Sequence, residues 1–240
     1  MIAVLRFLIL FPLFILVCIF GCLFCLLRPF HRNNTKVVAH WLSNLAPVAG
    51  IKLITRVPKN SNYTPQVFIG NHQNSYDLFT ISSAVGEGTV SLGKKSIKWL
   101  PFFGQLYWLS GNILIDRNNK NSARGTIAQV TERITTDQLS IWMFPEGTRS
   151  RGKGLLPFKM GAFNTAIQAG VPIVPVVLST TSHFRLGKWN NGYVIVEALA
   201  PIPTDNYTAG DAKQLASHCR QLMIDKIAEL DTEVAALNKQ

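Results

Sequence analysis

The chain has 240 residues, the length of one ordinary domain, which is enough for a substantial hydrophobic core. It carries 24 Lys and Arg against 13 Asp and Glu, and this net charge of +11 predicts an anionic partner: nucleic acid, anionic lipid or an acidic carrier protein. Only Cys219 lies outside one apolar stretch, so the sequence excludes a disulfide within the globular part. It shows no metal-ligand spacing, and we expect no metal site.

The most apolar segment, Phe7 to Leu27, has no charged side chain and raises the mean hydropathy to +0.19. It is long enough to cross a hydrocarbon core of roughly 30 Å, which takes ~20 helical residues. We predict a retained anchor rather than a cleaved signal peptide, because no Ala-x-Ala-like site precedes Arg28. Whether it spans the bilayer or enters one leaflet stays open. Arg28, Arg32 and Lys36 follow it while only Arg6 and the amino terminus precede it, which predicts a cytoplasmic position for the rest of the chain.

Apolar residues recur at helical spacing directly after the anchor, at Val37, Val38, Trp41, Leu42 and Leu45. The pattern predicts a helix. It lies either on the membrane surface, with its apolar face against lipid or the first helix, or over the protein core. We therefore interpret residues 1–50 as a membrane anchor with an interfacial helix, and residues 51–240 as one globular domain.

In this domain short apolar runs alternate with helical patterns. The predicted strands are Ile51 to Arg56, Val67 to Gly70, Thr89 to Leu92, Asn112 to Asp116, Ser140 to Phe144, Ile173 to Leu178 and Tyr193 to Ala198. The predicted helices are Asp77 to Val85, Ser122 to Thr135, Phe158 to Gln168 and Asp211 to Leu237. This alternation predicts an α/β fold: a mixed, mostly parallel sheet flanked by helices, behind an N-terminal membrane-anchoring helical segment.

A histidine and an aspartate separated by four residues, His72 and Asp77, follow the second predicted strand. Active-site loops of open α/β sheets lie beyond the carboxyl ends of their strands. An aspartate beside His72 would fix its tautomer and stabilise the imidazolium that forms when the histidine acts as a general base. Asp77 could equally be only a helix cap, a role for which Ser75 competes. The spacing leaves both interpretations open.

The sequence lacks the Gly-x-Ser-x-Gly pentad that carries the nucleophile of many serine hydrolases. Ser75 and Ser150 are candidates without flanking glycines. A substrate hydroxyl activated by His72 would need no enzyme nucleophile and could attack a thioester directly. Two alternatives stay open: a membrane-bound esterase or thioesterase, and a non-enzymatic protein that binds anionic lipid or nucleic acid. Nucleic acid is the poorer partner, because the basic residues are not interleaved with a stacking motif.

The turn from Glu146 to Ser150 is a second candidate site, because it follows another predicted strand. Gly147 permits a positive φ or a close approach of the backbone. Thr148 adds a hydroxyl donor, and Arg149 offers a planar fork suited to phosphate oxygens. The mixture predicts phosphate binding, against the alternative of a solvated basic loop.

Two more segments carry charges at predicted strand ends. Asp116 and Arg117 end one strand, where they could line a polar site or form an ion pair. Lys94 and Lys95 precede a run of aromatic residues and could meet a phosphate or a lipid head group. Spacing alone does not decide between these roles.

Taken together, these segments resemble the glycerolipid acyltransferase family over nearly the whole chain. The resemblance rests on four blocks in order behind an apolar amino-terminal segment: Asn71 to Asp77, Gly111 to Arg117, Phe144 to Arg151 and Val171 to Pro175. It implies that residues 51–240 are an acyltransferase catalytic domain on the cytoplasmic side of a bacterial inner membrane. The implied reaction transfers a fatty acyl group to the 2-hydroxyl of lysophosphatidic acid, giving phosphatidic acid for phospholipid biosynthesis.

The resemblance also implies the residue roles. His72 would be the general base and Asp77 its partner. The acceptor phosphate would be held by Arg149, and its pocket completed by Glu146, Gly147, Thr148, Lys95 and Arg117. The donor would be acyl-CoA or acyl-acyl carrier protein, used as a co-substrate, with no cofactor and no metal. Membrane lipids and the donor carrier would be the partners, without nucleic acid.

Overall fold

The computed structural model describes residues 1–58, 65–115 and 120–239. The α-helices over these residues are α1 (Ile2–Leu27), α2 (Asn34–Ser43), α3 (Phe103–Leu109), α4 (Lys120–Thr136), α5 (Gly161–Ala169) and α6 (Ala212–Leu237). The strands are β1 (Ile51–Arg56), β2 (Val67–Gly70), β3 (Thr89–Lys94), β4 (Ile113–Ile115), β5 (Ser140–Met143), β6 (Ile173–Leu178) and β7 (Gly192–Ala198). Short 3-10 helices cover Ala46–Ala49, Ser75–Leu78, Ile81–Ala84, Lys95–Trp99 and Ala209–Asp211.

The strands of the described residues form one seven-stranded sheet in the order β1-β7-β6-β2-β5-β3-β4. Every neighbouring pair is parallel except β6 and β7, which are antiparallel. Strand β2 lies at the centre and is buried along its whole length. Strands buried on both faces have continuous apolar sequences, which is why this run was readable from the sequence. The predicted mixed, mostly parallel sheet flanked by helices is confirmed.

Alternate residues of β2 enter two different cores. Val67 and Ile69 pack with residues of α4, α5 and α6 on one face of the sheet. Phe68 packs on the other face, with residues of α1, α2 and the Ile81–Ala84 helix. The sheet is thus covered on both sides, and the carboxyl end of β2 lies where these layers meet.

Helix α1 lies along the domain over its whole length. Leu10 packs into the core above β2, while Cys18 and Cys25 pack against α2 and against Leu106 of α3. Among the described residues, α1 is the one helix whose length and composition would allow it to cross a membrane. Its outer face exposes large apolar side chains, including Val4, Leu5, Phe7, Leu8, Leu16, Phe20, Leu23 and Leu27. Helix α1 therefore has one side that packs on the protein and one exposed apolar side.

The helix predicted after the anchor is present as α2. Its buried side chains include Val38, Ala39 and Leu42. Val38 and Leu42 contact α1 and α3, and Ala39 contacts the core above β2. The apolar stripe of α2 therefore faces both the first helix and the protein core.

The helix predicted from Asp77 to Val85 is wrong: two short 3-10 helices take its place. Hydroxyl groups explain the interruption. Thr80 Oγ1 donates to the carbonyl of Tyr76, and Ser82 Oγ donates to the carbonyl of Leu78. Such local bonds compete with the helical ladder.

One helix begins three residues later than predicted, and another was not predicted at all. Helix α5 begins at Gly161 rather than at Phe158, because the N–H of Lys159 donates to the carbonyl of Pro145 and Phe158 stacks on Phe163. Helix α3 was not predicted, since it has only seven residues and begins two positions after Pro101.

Candidate active site

The side chains of His72 and Asp77 meet at the carboxyl end of β2. His72 Nδ1 lies 2.6 Å from Asp77 Oδ2. The imidazole is partly exposed, with 22% of its side-chain surface accessible, while the carboxylate is buried at 4%. A buried carboxylate at this distance favours a proton on Nδ1, which leaves Nε2 as the acceptor atom of the ring. The pair has the geometry of a general base with its orienting group.

The same carboxylate also closes a capping box. Asp77 is the third residue of the Ser75–Leu78 helix, and its Oδ2 accepts the backbone N–H groups of Gln73 at 2.7 Å and Asn74 at 3.2 Å. Asn74 caps the helix, its Oδ1 accepting from the N–H of Tyr76. Oδ1 of Asp77 has no hydrogen-bond partner. Asp77 can thus serve both as the partner of His72 and as part of the helix cap. Asn74, and not Ser75, is the capping residue.

Side-chain amides tie this loop to the end of β6. Asn71 exchanges two hydrogen bonds of 2.8 Å with the backbone of Leu178. Gln73 donates to the carbonyls of Leu178 and Ser179 and accepts from the N–H of Thr181 at 2.8 Å. The segment from residue 71 to residue 74 therefore continues the sheet through side chains, which holds His72 in place.

The turn after β5 supports His72 from the other side. The imidazole stacks on Phe144, with ring centroids 4.3 Å apart and an angle of 21° between the planes. Glu146 Oε1 accepts the N–H of His72 at 2.7 Å, and the N–H of Ser150 donates to the carbonyl of His72 at 2.8 Å. Phe144 was not predicted as a site residue, although it directly precedes the turn and ends a strand-like run.

Glu146 is buried at 3% exposure, and both of its oxygens accept backbone N–H groups, the second from Leu156 at 2.9 Å. Burial raises the pKa of this carboxyl group, and the two backbone donors act in the opposite direction. We expect Glu146 to shape the turn rather than to touch a phosphate.

Gly147 adopts a φ of +69°, as the turn requires. A Cβ atom at this glycine would lie 2.7 Å from Nζ of Lys159, whose side chain crosses the turn. Arg149 is exposed and donates to Ser75 Oγ at 3.3 Å. The turn thus brings a guanidinium to the loop that carries His72, and Thr148 beside it is exposed.

A cavity of about 810 Å³ begins at these residues and extends under α1. His72, Asp77, Gly147, Thr148 and Arg149 line its polar end. The remaining wall is mainly apolar and includes Phe11, Phe14 and Ile15 of α1, Val38 and Leu42 of α2, and Phe103 and Leu106 of α3. Helix α1, predicted only as an anchor, therefore also forms part of the site.

The other predicted residues lie at the edge of the cavity or beyond the described residues. Lys94, at the end of β3, lines the cavity, whereas Lys95 is exposed at the start of the next 3-10 helix and does not. Arg117 and Asp116 lie outside the described residues. Asn112 lines the wall, and its amide joins the Thr35 and Ser91 hydroxyls to α3.

Among the described residues, no hydroxyl group donates a hydrogen bond to His72 Nε2. Neither candidate serine is therefore positioned as a nucleophile. Ser75 Oγ contacts Arg149 instead, and Ser150 is buried at 4% exposure. This geometry suits an alcohol that enters with the substrate.

Comparison with known proteins agrees with this chemistry. A family model described as Acyltransferase matches residues 51–179, more than half of the chain. The chain belongs to the acyltransferase family. It is 53% identical over 223 residues to the 1-acyl-sn-glycerol-3-phosphate acyltransferase of Escherichia coli, covering 92% of this chain and 91% of the relative. It is 50% identical to the Haemophilus influenzae protein of the same name, covering 93% and 94%.

More distant acyltransferases match most of this chain. The human 1-acyl-sn-glycerol-3-phosphate acyltransferase alpha is 33% identical over 213 residues, which cover 87% of this chain and 75% of the human protein. The crystal structure of the 1-acyl-sn-glycerophosphate acyltransferase from Thermotoga maritima superposes with a TM-score of 0.70 and covers 95% of both chains at 19% identity. At that identity, the last comparison supports the fold alone.

Proposed function

We propose that this acyltransferase moves a fatty acyl group from an acyl thioester to the 2-hydroxyl of lysophosphatidic acid, giving phosphatidic acid. The observation that carries the proposal is the convergence of His72, Asp77 and Arg149 at the polar end of an apolar cavity. A phosphorylated alcohol with a long chain needs this combination of a base, a cation and an apolar wall. The names of the bacterial relatives point to the same acceptor.

The acceptor would bind first through its phosphate. Arg149 lies on a turn held to the loop of His72 by backbone hydrogen bonds, so a phosphate on the guanidinium lies near the imidazole. Lys94 lines the same cavity, and Lys95 and Arg117 are further candidates in the proposal. Charge-assisted bonds to phosphate would fix the acceptor so that its 2-hydroxyl points at Nε2.

The chemical step is a direct transfer. Nε2 of His72 accepts the proton of the 2-hydroxyl while the oxygen attacks the thioester carbonyl. Asp77 stabilises the imidazolium that forms. The tetrahedral intermediate then collapses, the carbon–sulfur bond breaks, and the thiolate leaves and takes the proton from His72. A base placed in this way contributes about 10²–10⁴-fold to the rate.

The cavity wall would receive an apolar chain of a substrate. The donor is acyl-CoA or acyl-acyl carrier protein, and the net charge of +11 favours a negatively charged donor carrier or an anionic membrane. No cofactor or metal is required by this step. The apolar outer face of α1 would place the protein on the bacterial inner membrane, with the catalytic domain on the cytoplasmic side.

Detergent-solubilised protein given radiolabelled lysophosphatidic acid and each donor in turn would test the proposal. We expect label in phosphatidic acid, and a loss of about 10²–10⁴-fold in His72→Ala. His218→Ala is the matched control, because His218 is exposed on α6 away from the cavity. A purified His72→Ala enzyme with substantial turnover would refute the role of the base. Labelling of wild type by a covalent serine probe, lost in a Ser75 or Ser150 variant, would favour an esterase.

A further inference from the structure

Arg6 is buried at 8% exposure, although it lies in the exposed first turns of an apolar helix. Its guanidinium donates to three backbone carbonyls of one loop in the catalytic domain. Nη1 donates to Leu186 at 2.9 Å and to Lys188, and Nη2 donates to Trp189 at 2.9 Å. The rigid fork of the guanidinium meets the three carbonyls with two of its nitrogens, whereas the ammonium of a lysine would have to meet them from a single point.

The loop that receives Arg6 is itself fixed. Asn191 is buried, and its side chain accepts from the N–H of Arg185 and donates to the carbonyls of Arg185 and Ala49. Gly50 lies against the guanidinium: a Cβ there would be 2.8 Å from Nη2 of Arg6 and 2.7 Å from the carbonyl oxygen of Trp189. The backbone thus forms a closely fitting seat for this one side chain.

The seat is connected to the catalytic turn. Phe184, at the start of the same loop, meets the ring of Tyr76 edge to face, with centroids 5.7 Å apart. Tyr76 directly precedes Asp77 within the 3-10 helix that the carboxylate caps. A shift of this loop would therefore reach the turn that holds Asp77.

Arg6 also fixes the wall of the cavity. Phe11, Phe14 and Ile15 of α1 line the cavity one to three turns after Arg6 on the same helix. Pro12, which lies between Phe11 and Phe14, removes a backbone hydrogen bond of α1, so fixing the amino end of the helix fixes Phe11 most directly.

We propose that Arg6 is a positioning residue, which seats the amino end of α1 on the 186–189 loop and thereby holds the cavity wall and the catalytic turn in register. The inference rests on the proposed function. It also requires the amino end of α1 to remain on the same side of the membrane as the catalytic domain.

A disulfide offers a direct test. The Cβ of Ala3 lies 3.9 Å from the Cβ position of Gly187, within the range that a disulfide spans. We would combine Ala3→Cys and Gly187→Cys in the full-length chain, with and without Arg6→Gln, and oxidise the protein in native membrane vesicles. Each single cysteine variant controls for pairing with the four native cysteines. Lys188→Gln controls for the lost charge, since that side chain is exposed and its carbonyl remains.

We expect the double cysteine variant to cross-link in membranes and to stay active. With reduced thiols, Arg6→Gln should lower kcat/KM by about tenfold or more, since several hydrogen bonds to a charged group are lost. Arg6→Lys should recover part of the activity, and Lys188→Gln should match wild type. Oxidation should restore the Arg6→Gln activity in the cysteine background, and reductant should remove it again.

Three results would overturn the inference: no cross-link in membranes, full activity of Arg6→Gln, or a cross-linked Arg6→Gln enzyme that stays as slow as the reduced one. Failure of the proposed function would look different. The cross-link would still form, because its yield is read by mass spectrometry without any assay of turnover, and the wild type itself would not make phosphatidic acid.

Discussion

Replacing Asp77 by asparagine separates its two structural roles. The amide oxygen can take the place of Oδ2 and still accept the N–H groups of Gln73 and Asn74. The amide nitrogen then takes the place of Oδ1, which no hydrogen-bonding group contacts. The cap is therefore kept, but the buried amide N–H groups have no acceptor, so the free energy of unfolding should fall by about 1–3 kcal/mol. What is lost is the negative charge 2.6 Å from His72 Nδ1.

The size of the catalytic effect follows from that charge. A hydrogen bond to a charged group contributes about 1.5–3 kcal/mol, and each 1.36 kcal/mol changes a rate about tenfold, so kcat should fall by about 10- to 150-fold. The loss could reach about 10⁴-fold where the amide also selects the wrong tautomer of the imidazole. Burial of Asp77 at 4% keeps solvent screening low, which favours the upper part of the range.

The assay is kcat in detergent micelles with both substrates saturating, beside the thermal midpoint of each protein. Asp211→Asn is the matched control, because Asp211 closes another capping box with Thr208, exposed and away from the cavity. An Asp77→Asn enzyme that stays folded and keeps more than half the wild-type kcat would show that the carboxylate acts only as a cap.

Three further predictions concern the turn after β5. Arg149→Ala should raise the KM for lysophosphatidic acid about 10- to 100-fold with an unchanged thermal midpoint, since the side chain is exposed; an unchanged KM together with an unchanged kcat would contradict this. Burial raises the pKa of Glu146, so its folded state holds the proton more tightly, and the stability of wild type relative to Glu146→Gln should fall as pH rises above the ordinary 4.5. The check is a series of thermal melts of wild type and Glu146→Gln across pH. A stability difference between the two proteins that did not change with pH would contradict this prediction. Gly154→Ala and Gly147→Ala should each cost about 1–2 kcal/mol for a left-handed backbone, because a Cβ at Gly154 has nothing within 4 Å and a Cβ at Gly147 meets only the flexible end of the Lys159 side chain, which can move aside; a much larger cost of Gly147→Ala in chemical denaturation would contradict this.

The parts of the fold that were predictable are those where local sequence decides. Strands β1, β2 and β6 lie where the apolar runs predicted them, to the residue, because polar residues, Gly or Pro flank each run. The break between the Ser75–Leu78 and Ile81–Ala84 helices was not predictable from periodicity, since hydroxyl-to-carbonyl bonds decide it. Helix α3 was missed for a different reason, because it is too short to show a helical period.

In the candidate site, too, local contacts could be predicted from the sequence and contacts between distant segments could not. The proximity of His72 and Asp77 follows from a short loop, so spacing suggested it. The backbone contacts of Glu146 depend on a bond across 74 positions of sequence, which no local pattern reveals. Strand β3 extends to Lys94, two residues beyond its predicted end. This extension decides that Lys94, and not Lys95, lines the cavity. The catalytic and binding roles themselves stay predictions until the variants are measured.

The lengthwise contact of α1 with the domain has a practical consequence. Helix α1 is part of the folded domain as well as an anchor, because its inner side chains pack in the core. Deleting it would uncover residues such as Ala46, Val38, Leu42 and Leu106, which are buried at 6% exposure or less. A version shortened at this helix would therefore expose a new apolar surface and lose one wall of the cavity. Polar replacements on the exposed side of the same helix would keep both the core contacts and the cavity wall.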